Sequence, residues 1–413
     1  SKLKAEERAG NCIGCRKCME HCPQGIRITE AYAGISGQHI RSVKQPYYVF
    51  ASRGGEIRQE DVRQLHDSMR NVPAPEGEKI LQIIPQNYIV DDEEETANPV
   101  GTFGNKLAST FNIILGDSVA INRLEMALKR VDIVPLGLFL NAIASAEAVL
   151  TPDEKEEGVA VVDIGAGTTD VVVYQKNIIR HVGIIPMGGN VINKDIRSYG
   201  ILEKHVENLK TGEAMRDAAQ PDKYITTPGL SAKASKEISS QNLAAIIEAR
   251  MLDIIDFVVE ELKKSGFQDR LAAGVVLTGG GAQLKHVETL FKSYTGMDAR
   301  VAGAESTLDG ESLETAGQPA MATAVGILAR AFDERAQNKT SRSKQQVVRP
   351  AREEKPVTEP ASPVKRKLND FYRSGSRRRG RRRVAGRRLR TGIQTQAQAG
   401  IVLEAQGESD QHV

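Results

Sequence analysis

Tryptophan is absent, aromatic residues make up only 4% of the 413 positions, and no apolar run approaches the roughly 18 residues that a membrane-spanning helix requires. With 26% charged residues, the expectation is a soluble protein. Cysteine is missing from the whole chain beyond Cys22. Disulfides therefore do not hold the main fold together, and a reducing cytoplasm is the expected compartment. The first residues carry no apolar core followed by a small-residue cleavage site, so nothing in them is expected to direct the chain out of the cell. No repeat with a period of about 20 to 50 residues is present, which argues against a solenoid or propeller.

What is present is enough chain for two or three domains. The net charge of +3 hides an uneven distribution: the segment 365–390 holds thirteen Lys and Arg against the single acid Asp370, and the remainder is mildly acidic. Four zones follow from composition: a cysteine segment over 1–28, a globular body ending near 335, a polar linker over 336–363, and a basic tail over 364–413. The linker mixes Lys, Arg, Glu, Ser and Pro with few large apolar residues, so it cannot bury enough surface to offset its ordering entropy and is expected to be disordered.

Within the body, short β-type runs such as Lys79–Ile84, Phe111–Leu115 and Gly158–Asp163 alternate with helical patterns, which predicts an α/β architecture. Amphipathic helices are expected over Val119–Arg130, where Leu124, Ala127 and Leu128 recur at helical spacing, and over Gln241–Lys264, where Ile246, Ile247, Leu252, Ile255 and Val258 do so.

The most informative stretch runs from Val159 to Tyr174: an apolar strand, a Gly/Thr loop, then a second apolar strand. Gly165 and Gly167 let the backbone bring N–H groups close to an anion, and Thr168 and Thr169 add hydroxyl donors, so the loop is suited to a polyphosphate. Asp163, closing the first strand, is suited to holding Mg²⁺ through water, since that ion keeps several waters and takes few carboxylates; Asp170 is a second candidate. An ordinary hairpin with a Gly-rich turn would use the same residues. Downstream, Gly274–Leu277 is again an apolar strand, opening into Thr278, Gly279, Gly280, Gly281 and Ala282 and then a helix-like segment, Gln283–Lys292. Strand, glycine turn and helix N-terminus would aim backbone amides at a ligand, and small residues would admit a flat ring; tight turning alone is the alternative.

With these two loops in this order and separation, the chain resembles the actin-like ATPase superfamily. The segments Gly34–Ile40 (GISGQHI), Gln82–Tyr88 (QIIPQNY), Asn98–Gly101 (NPVG) and Leu150–Glu154 (LTPDE) make it most similar to the bacterial cell-division family FtsA. The resemblance implies an α/β, actin-like (ribonuclease H-like) two-domain nucleotide-binding fold. Residues 29–45 and 129–150 would form a partial first core domain, 46–128 the inserted subdomain of that family, and 151–335 the second core domain, with a smaller subdomain inserted over 196–266. Glu207 and Lys210 resemble the pair that holds the nucleoside in this superfamily; a solvated helix face would use the same residue types. Gly188 and Gly189, opening a helix-like run, are placed to approach the nucleotide, while Thr323, Ala324 and Gly326 resemble the small residues of a connecting helix, for which helix packing is an equal explanation. Family members carry a further Asp-x-Gly hairpin ahead of the segment that Ala31–Ser42 resembles. Residues 1–28 hold no such Gly/Thr hairpin, so the first core domain is expected to be incomplete and ATP hydrolysis weak or absent.

The segment Cys12-x-x-Cys15-x-x-Cys18-x-x-x-Cys22-Pro23 matches the ligand run of bacterial [4Fe-4S] ferredoxins, although no second run is present; an isolated zinc knot or a piece that binds no metal are the alternatives. It reads as a segment joined to an unrelated body, and function is assigned from the body. In the tail, Lys365, Lys367, Leu368, Phe371 and Tyr372 are suited to the start of an interfacial helix on an anionic membrane. The arginine runs Arg377–Arg379 and Arg381–Arg383 would neutralise phosphates without reading sequence, so no specific nucleic-acid partner is expected. The resemblance therefore implies an ATP- and Mg²⁺-binding adaptor that self-assembles as an actin-like polymer and tethers the tubulin-like protein FtsZ to the cytoplasmic membrane at the division site. The competing reading is a [4Fe-4S] electron-transfer protein or oxidoreductase, whose preparation would be brown and bleach with dithionite.

Overall fold

A computed structural model describes residues 30–51, 55–93, 95–212, 222–228, 235–305, 307–308 and 313–347. The first described strand, β1 (Glu30–Ile35), leads through a turn closed by the Ile40 N–H on the Gly37 carbonyl (3.0 Å) into β2 (Ile40–Phe50). There follow α1 (Gln59–Arg70), β3 (Glu78–Val90), the short β4 (Glu95–Thr96) and β5 (Lys106–Asp117). These strands form an antiparallel sheet in the order β2-β5-β3-β4. Alternation along β5 sends Leu107, Phe111, Ile113 and Leu115 to the face that α1 covers with Val62, Leu65 and Met69, while Asn112 and Ile114 point the other way. The inserted subdomain begins earlier than the expected residue 46. β2 pairs with β5 along its whole length from Ile40, and Pro46 is tolerated within it because β2 is an edge strand with no partner needed on its other side.

Asp117 caps α2 (Ser118–Arg130) by accepting the Ala120 N–H at 2.7 Å, and the helix buries Ile121 rather than the exposed Ala127 that its periodicity suggested. The chain then returns to the first core domain as β6 (Val134–Leu140), which pairs in parallel with β1, from Glu30 opposite Val134 to Ile35 opposite Leu140. Among the described residues these two strands are the whole of that sheet. A buried helix, α3 (Asn141–Val149), follows, and then α4 (Pro152–Glu157). The LTPDE motif at the latter is a capping box: Thr151 accepts the Glu154 N–H while the Glu154 carboxylate takes the Thr151 N–H at 2.9 Å, a device worth about 1 kcal/mol.

The second core domain starts with three antiparallel strands, β7 (Val159–Ile164), β8 (Thr169–Gln175) and β9 (Ile178–Ile185), and continues through α5 (Gly189–Ser198), α6 (Glu203–Gly212), the hairpin β10 (Tyr224–Pro228) and β11 (Ser235–Ser239), and α7 (Ser240–Ser265). It closes with β12 (Val275–Thr278), α8 (Val287–Thr295), β13 (Ala299–Val301), α9 (Leu313–Ala316) and α10 (Ala322–Val347). The sheet runs β13-β12-β7-β8-β9, with β12 and β13 parallel to β7 and the β7-β8-β9 meander antiparallel, the ribonuclease H-like arrangement. Because both faces are covered, β7 reads as an apolar run interrupted only by Asp163. Ala160, Val162 and Ile164 pack against Leu243, Ile247, Met251 and Ile254 of α7, while Val159 and Val161 pack against Ile143, Ala146 and Val325 of α3 and α10.

Two local expectations change. The segment after the glycines is not a helix from Gln283: a 3-10 turn spans Gly280–Gln283, and α8 begins at Val287 after His286 takes a left-handed φ of 63°. Residues 336–347, expected as the start of a disordered linker, continue α10. Their Ala, Gln, Lys and Arg content is poor in apolar area but good in helix propensity, and extending a helix already nucleated adds one hydrogen bond per residue. The rest of the linker and the basic tail lie outside the described residues, as does the cysteine segment.

Candidate nucleotide site

The Gly165–Thr168 loop is a tight turn between two buried strands, closed by the Gly165 N–H on the Thr168 carbonyl (2.9 Å), with Ala166 and Gly167 exposed at its tip. An added Cβ at Gly167 would meet nothing within 4 Å, so the tip faces open space and its backbone N–H groups stand where an anion can approach. The hydroxyls diverge in role: Thr168 is half-buried at the loop, whereas Thr169 is fully buried and donates to the Met187 carbonyl (2.9 Å), bracing the loop rather than facing outward.

Gly188 is required by contact rather than by conformation, since a Cβ there would come within 2.5 Å of the Gly165 carbonyl oxygen. The Gly189 and Asn190 N–H groups at the start of α5 donate to the carbonyls of Gly165 and Ala166 at 2.9 and 2.8 Å, so this helix end is docked on the loop and these two amides are taken. Lys210 of α6 is buried and brings its ammonium to the same place, 3.2 Å from where a Gly189 Cβ would sit. It also pairs with Glu207 at 2.9 Å, and Asn193 donates to the same Glu207 oxygen at 3.0 Å. Burial alone would raise the Glu207 pKa, but the Lys210 and Asn193 hydrogen bonds outweigh it and hold the carboxyl below its ordinary range.

The second loop closes on the base of the first. Gly279 has φ 85°, donates its N–H to the Pro319 carbonyl (3.1 Å), and leaves no room for a side chain, since a Cβ would lie 2.3 Å from Asp163 Oδ1; one on Gly281 would strike the Ile164 side chain at the same distance. Gly280 is open on its outer side, and Ala282 is buried beneath it.

Asp163 and Asp170 face each other across the β7–β8 ladder, both buried. Burial pushes the Asp163 carboxyl above its ordinary pKa, against the hydrogen bonds from Ser145 (2.5 Å) and Thr323 (3.1 Å) that favour its ionised form. Asp170 is pushed up to about 7 by burial and by the nearby Asp163 charge, with the Ser36 and Thr168 hydroxyls opposing. Ser36, in the turn after β1, donates to Asp170 Oδ1 at 2.8 Å and lies 3.4 Å from the Thr168 hydroxyl, so the first core domain reaches the Gly165–Thr168 loop through this side chain. Sequence reasoning assigned no role to Ser36 or Ser145. Ser36 was visible inside the GISGQHI motif, but Ser145 carries no local signal, because its partner is 18 residues away on a strand.

Two family models match the chain: "Cell division protein FtsA" over residues 160–326 and "SHS2 domain inserted in FTSA" over residues 37–115. Among curated relatives, cell division protein FtsA of Neisseria meningitidis serogroup B is 36% identical over 306 residues, covering 73% of each chain. The chain belongs to the FtsA family of cell division proteins. FtsA of Pseudomonas aeruginosa is 31% identical over 74% of this chain and 73% of its own, and FtsA of Escherichia coli K12 is 31% identical over 79% and 78%. A solved structure, MreB5 of Spiroplasma citri bound to ADP, aligns over 54% of this chain and 68% of its own at 19% identity and a TM-score of 0.44, a likeness too remote to bear on the assignment.

Family membership makes the fold that of the actin-like ATPases, which implies nucleotide binding, and it gives the four-stranded sheet under α1 its place as the SHS2 insert of FtsA. The residues present fit such a ligand: an exposed glycine tip, a buried lysine and a second glycine loop meet at one place, and Asp163 keeps Oδ1 on the side where Gly279 carries no side chain. A carboxylate oxygen is the ligand type that Mg²⁺ takes. Cys12, Cys15, Cys18 and Cys22 lie outside the described residues, and the family match gives no support to an iron–sulfur function. Among the described residues no group of three or more His, Cys, Asp and Glu could hold a metal by itself, and no helix is long and apolar enough to cross a membrane.

Proposed function

We propose that this FtsA-family chain binds ATP with Mg²⁺ between the Gly165–Thr169 and Gly279–Ala282 loops and works as a self-assembling adaptor that tethers FtsZ polymers to the cytoplasmic membrane. The observation that carries the reading is the meeting of Gly165–Thr168, Gly188–Gly189, Lys210 and Gly279–Gly281 around one loop in a chain of this family. The Ala166–Gly167 tip and Thr168 would hold phosphate oxygens, with Asp163 holding Mg²⁺ through water and Asp170 beside it. Gly280 and Ala282 would lie against the base, with Glu207 and Lys210 on the nucleoside. Mg²⁺ would neutralise phosphate charge; the chain's own groups orient the ligand.

No fast turnover is required. In this reading ATP acts as a ligand that favours one arrangement of the two core domains, and hence one set of polymer contacts. The basic tail, Lys365 to Arg390, supplies charge for peripheral attachment to anionic lipid at about 1 kcal/mol per basic residue near the surface. The test is sedimentation of FtsZ polymers with anionic vesicles in the presence of the chain and Mg-ATP. Co-sedimentation of all three, reduced without ATP, is expected; FtsZ left in the supernatant with the chain on the vesicles would contradict the adaptor role.

A further inference from the structure

The Asp163 carboxylate is held by two hydroxyls that come from two different helices. Ser145 projects from α3 and Thr323 from α10, and three oxygens crowd together: Ser145 Oγ to Asp163 Oδ2 at 2.5 Å, Ser145 Oγ to Thr323 Oγ1 at 2.7 Å, and Thr323 Oγ1 to Asp163 Oδ2 at 3.1 Å. Two hydroxyl protons serve three contacts when the acid is ionised, so one contact must lack a proton. Ser145 and Thr323 can each donate to the carboxylate, and the pair of hydroxyls shares its remaining contact, so the three oxygens form one network in which each bond polarises the next. Ser145 is completely buried, so water cannot replace its hydroxyl there, while Thr323 is half-buried.

The two helices cannot slide freely past each other at this level. A Cβ on Gly326, one turn along α10 from Thr323, would lie 1.8 Å from the Ala144 carbonyl oxygen, so the backbones touch beside the hydroxyl pair. Both hydroxyls converge on Oδ2, and Oδ1 is left on the Gly279 side.

We infer that Ser145 and Thr323 are positioning residues for Mg²⁺ at Asp163: they take up one carboxylate oxygen, present the other to the ion, and tie the crossing of α3 and α10 to the occupied site. The inference rests on the proposed Mg-nucleotide reading and goes beyond it by naming the residues that set metal affinity without touching the metal. Partners of this kind are worth about 10- to 100-fold in metal affinity when removed.

The test is a titration of fluorescent ATP analogue binding against Mg²⁺, run on the full chain and on Thr323→Val, Thr323→Ser and Ser145→Ala, with thermal unfolding of each metal-free protein alongside. Expected is a Mg²⁺ midpoint raised about 10-fold in Ser145→Ala and Thr323→Val, near wild type in Thr323→Ser, with analogue affinity in EDTA unchanged in all. A role confined to packing would lower the unfolding temperature and weaken binding equally with and without Mg²⁺, and that result would overturn the inference, as would unchanged Mg²⁺ midpoints. Should the unaltered chain bind no analogue in either condition, the nucleotide reading itself falls, and the inference with it.

Discussion

A Cβ on Gly167 meets nothing, whereas one on Gly326 would sit 1.8 Å from a backbone oxygen that cannot rotate away. Gly167→Val should therefore change the unfolding free energy by no more than about 0.5 kcal/mol, and Gly326→Ala should cost about 3 kcal/mol, both read from urea unfolding. The contrast separates a glycine that packing does not require from one that it does, which their shared identity in the sequence does not. Gly165, Gly279 and Gly281 were legible as a loop chemistry because they interrupt apolar strands. Ser145 was not legible at all and Ser36 only as a member of its motif, since their roles lie in partners 18 and 134 residues away that only the folded chain brings near. Thr169 shows the reverse: its type matched the motif, but its hydroxyl goes inward to Met187.

At the scale of elements, the buried strands β7, β8 and β12 could be read directly because a strand covered on both faces has no polar side to confuse the pattern. The edges were harder. Pro46 sits inside β2, and residues 336–347 are helical although little in their composition favours burial. Helix α1 offers a test of how the insert holds together: His66 hydrogen-bonds Tyr88 of β3 at 2.8 Å, crosses Phe111 edge-on at 5.7 Å, and has its pKa lowered by burial and by Arg70. With the folded pKa below the unfolded one, the native state resists protonation there. The contribution is fully present above the unfolded value near 6.5 and is lost as pH falls from there through the folded value. Stability of the chain should thus drop between pH 7 and 5, and drop less in His66→Gln, as followed by urea midpoints; parallel pH profiles would refute the assignment.

At the scale of the molecule, the insert shares an apolar cluster with the second core domain, Ile84 and Ile114 lying in the same cluster as Val172, Ile179 and Val182, and polar contacts fix its register there. The amide of Gln86 donates to the Ile179 carbonyl (2.9 Å) and that of Asn112 to the Arg180 carbonyl (3.1 Å). Arg180, buried, donates to the side chains of Gln86 and Asn87 at 3.3 and 3.2 Å, with its guanidinium 5.6 Å from the Phe267 ring. Arg180→Ala leaves two amide oxygens without donors and should cost about 2 kcal/mol in urea unfolding while nucleotide affinity stays put. The family's chain-wide architecture was legible in four short motifs, yet this docking was not, because Gln86, Asn87, Asn112 and Arg180 look like ordinary strand residues one by one. The proposed nucleotide site depends on the Gly165–Thr168 loop, and the direct measurement is titration of an ATP analogue with Mg²⁺ into the chain and into Gly167→Val. Binding by the former, weakened at least about tenfold in the latter with folding intact, is the predicted result, a loss of roughly 1.4 kcal/mol. Equal affinity in both, or no binding by the unaltered chain, would contradict it.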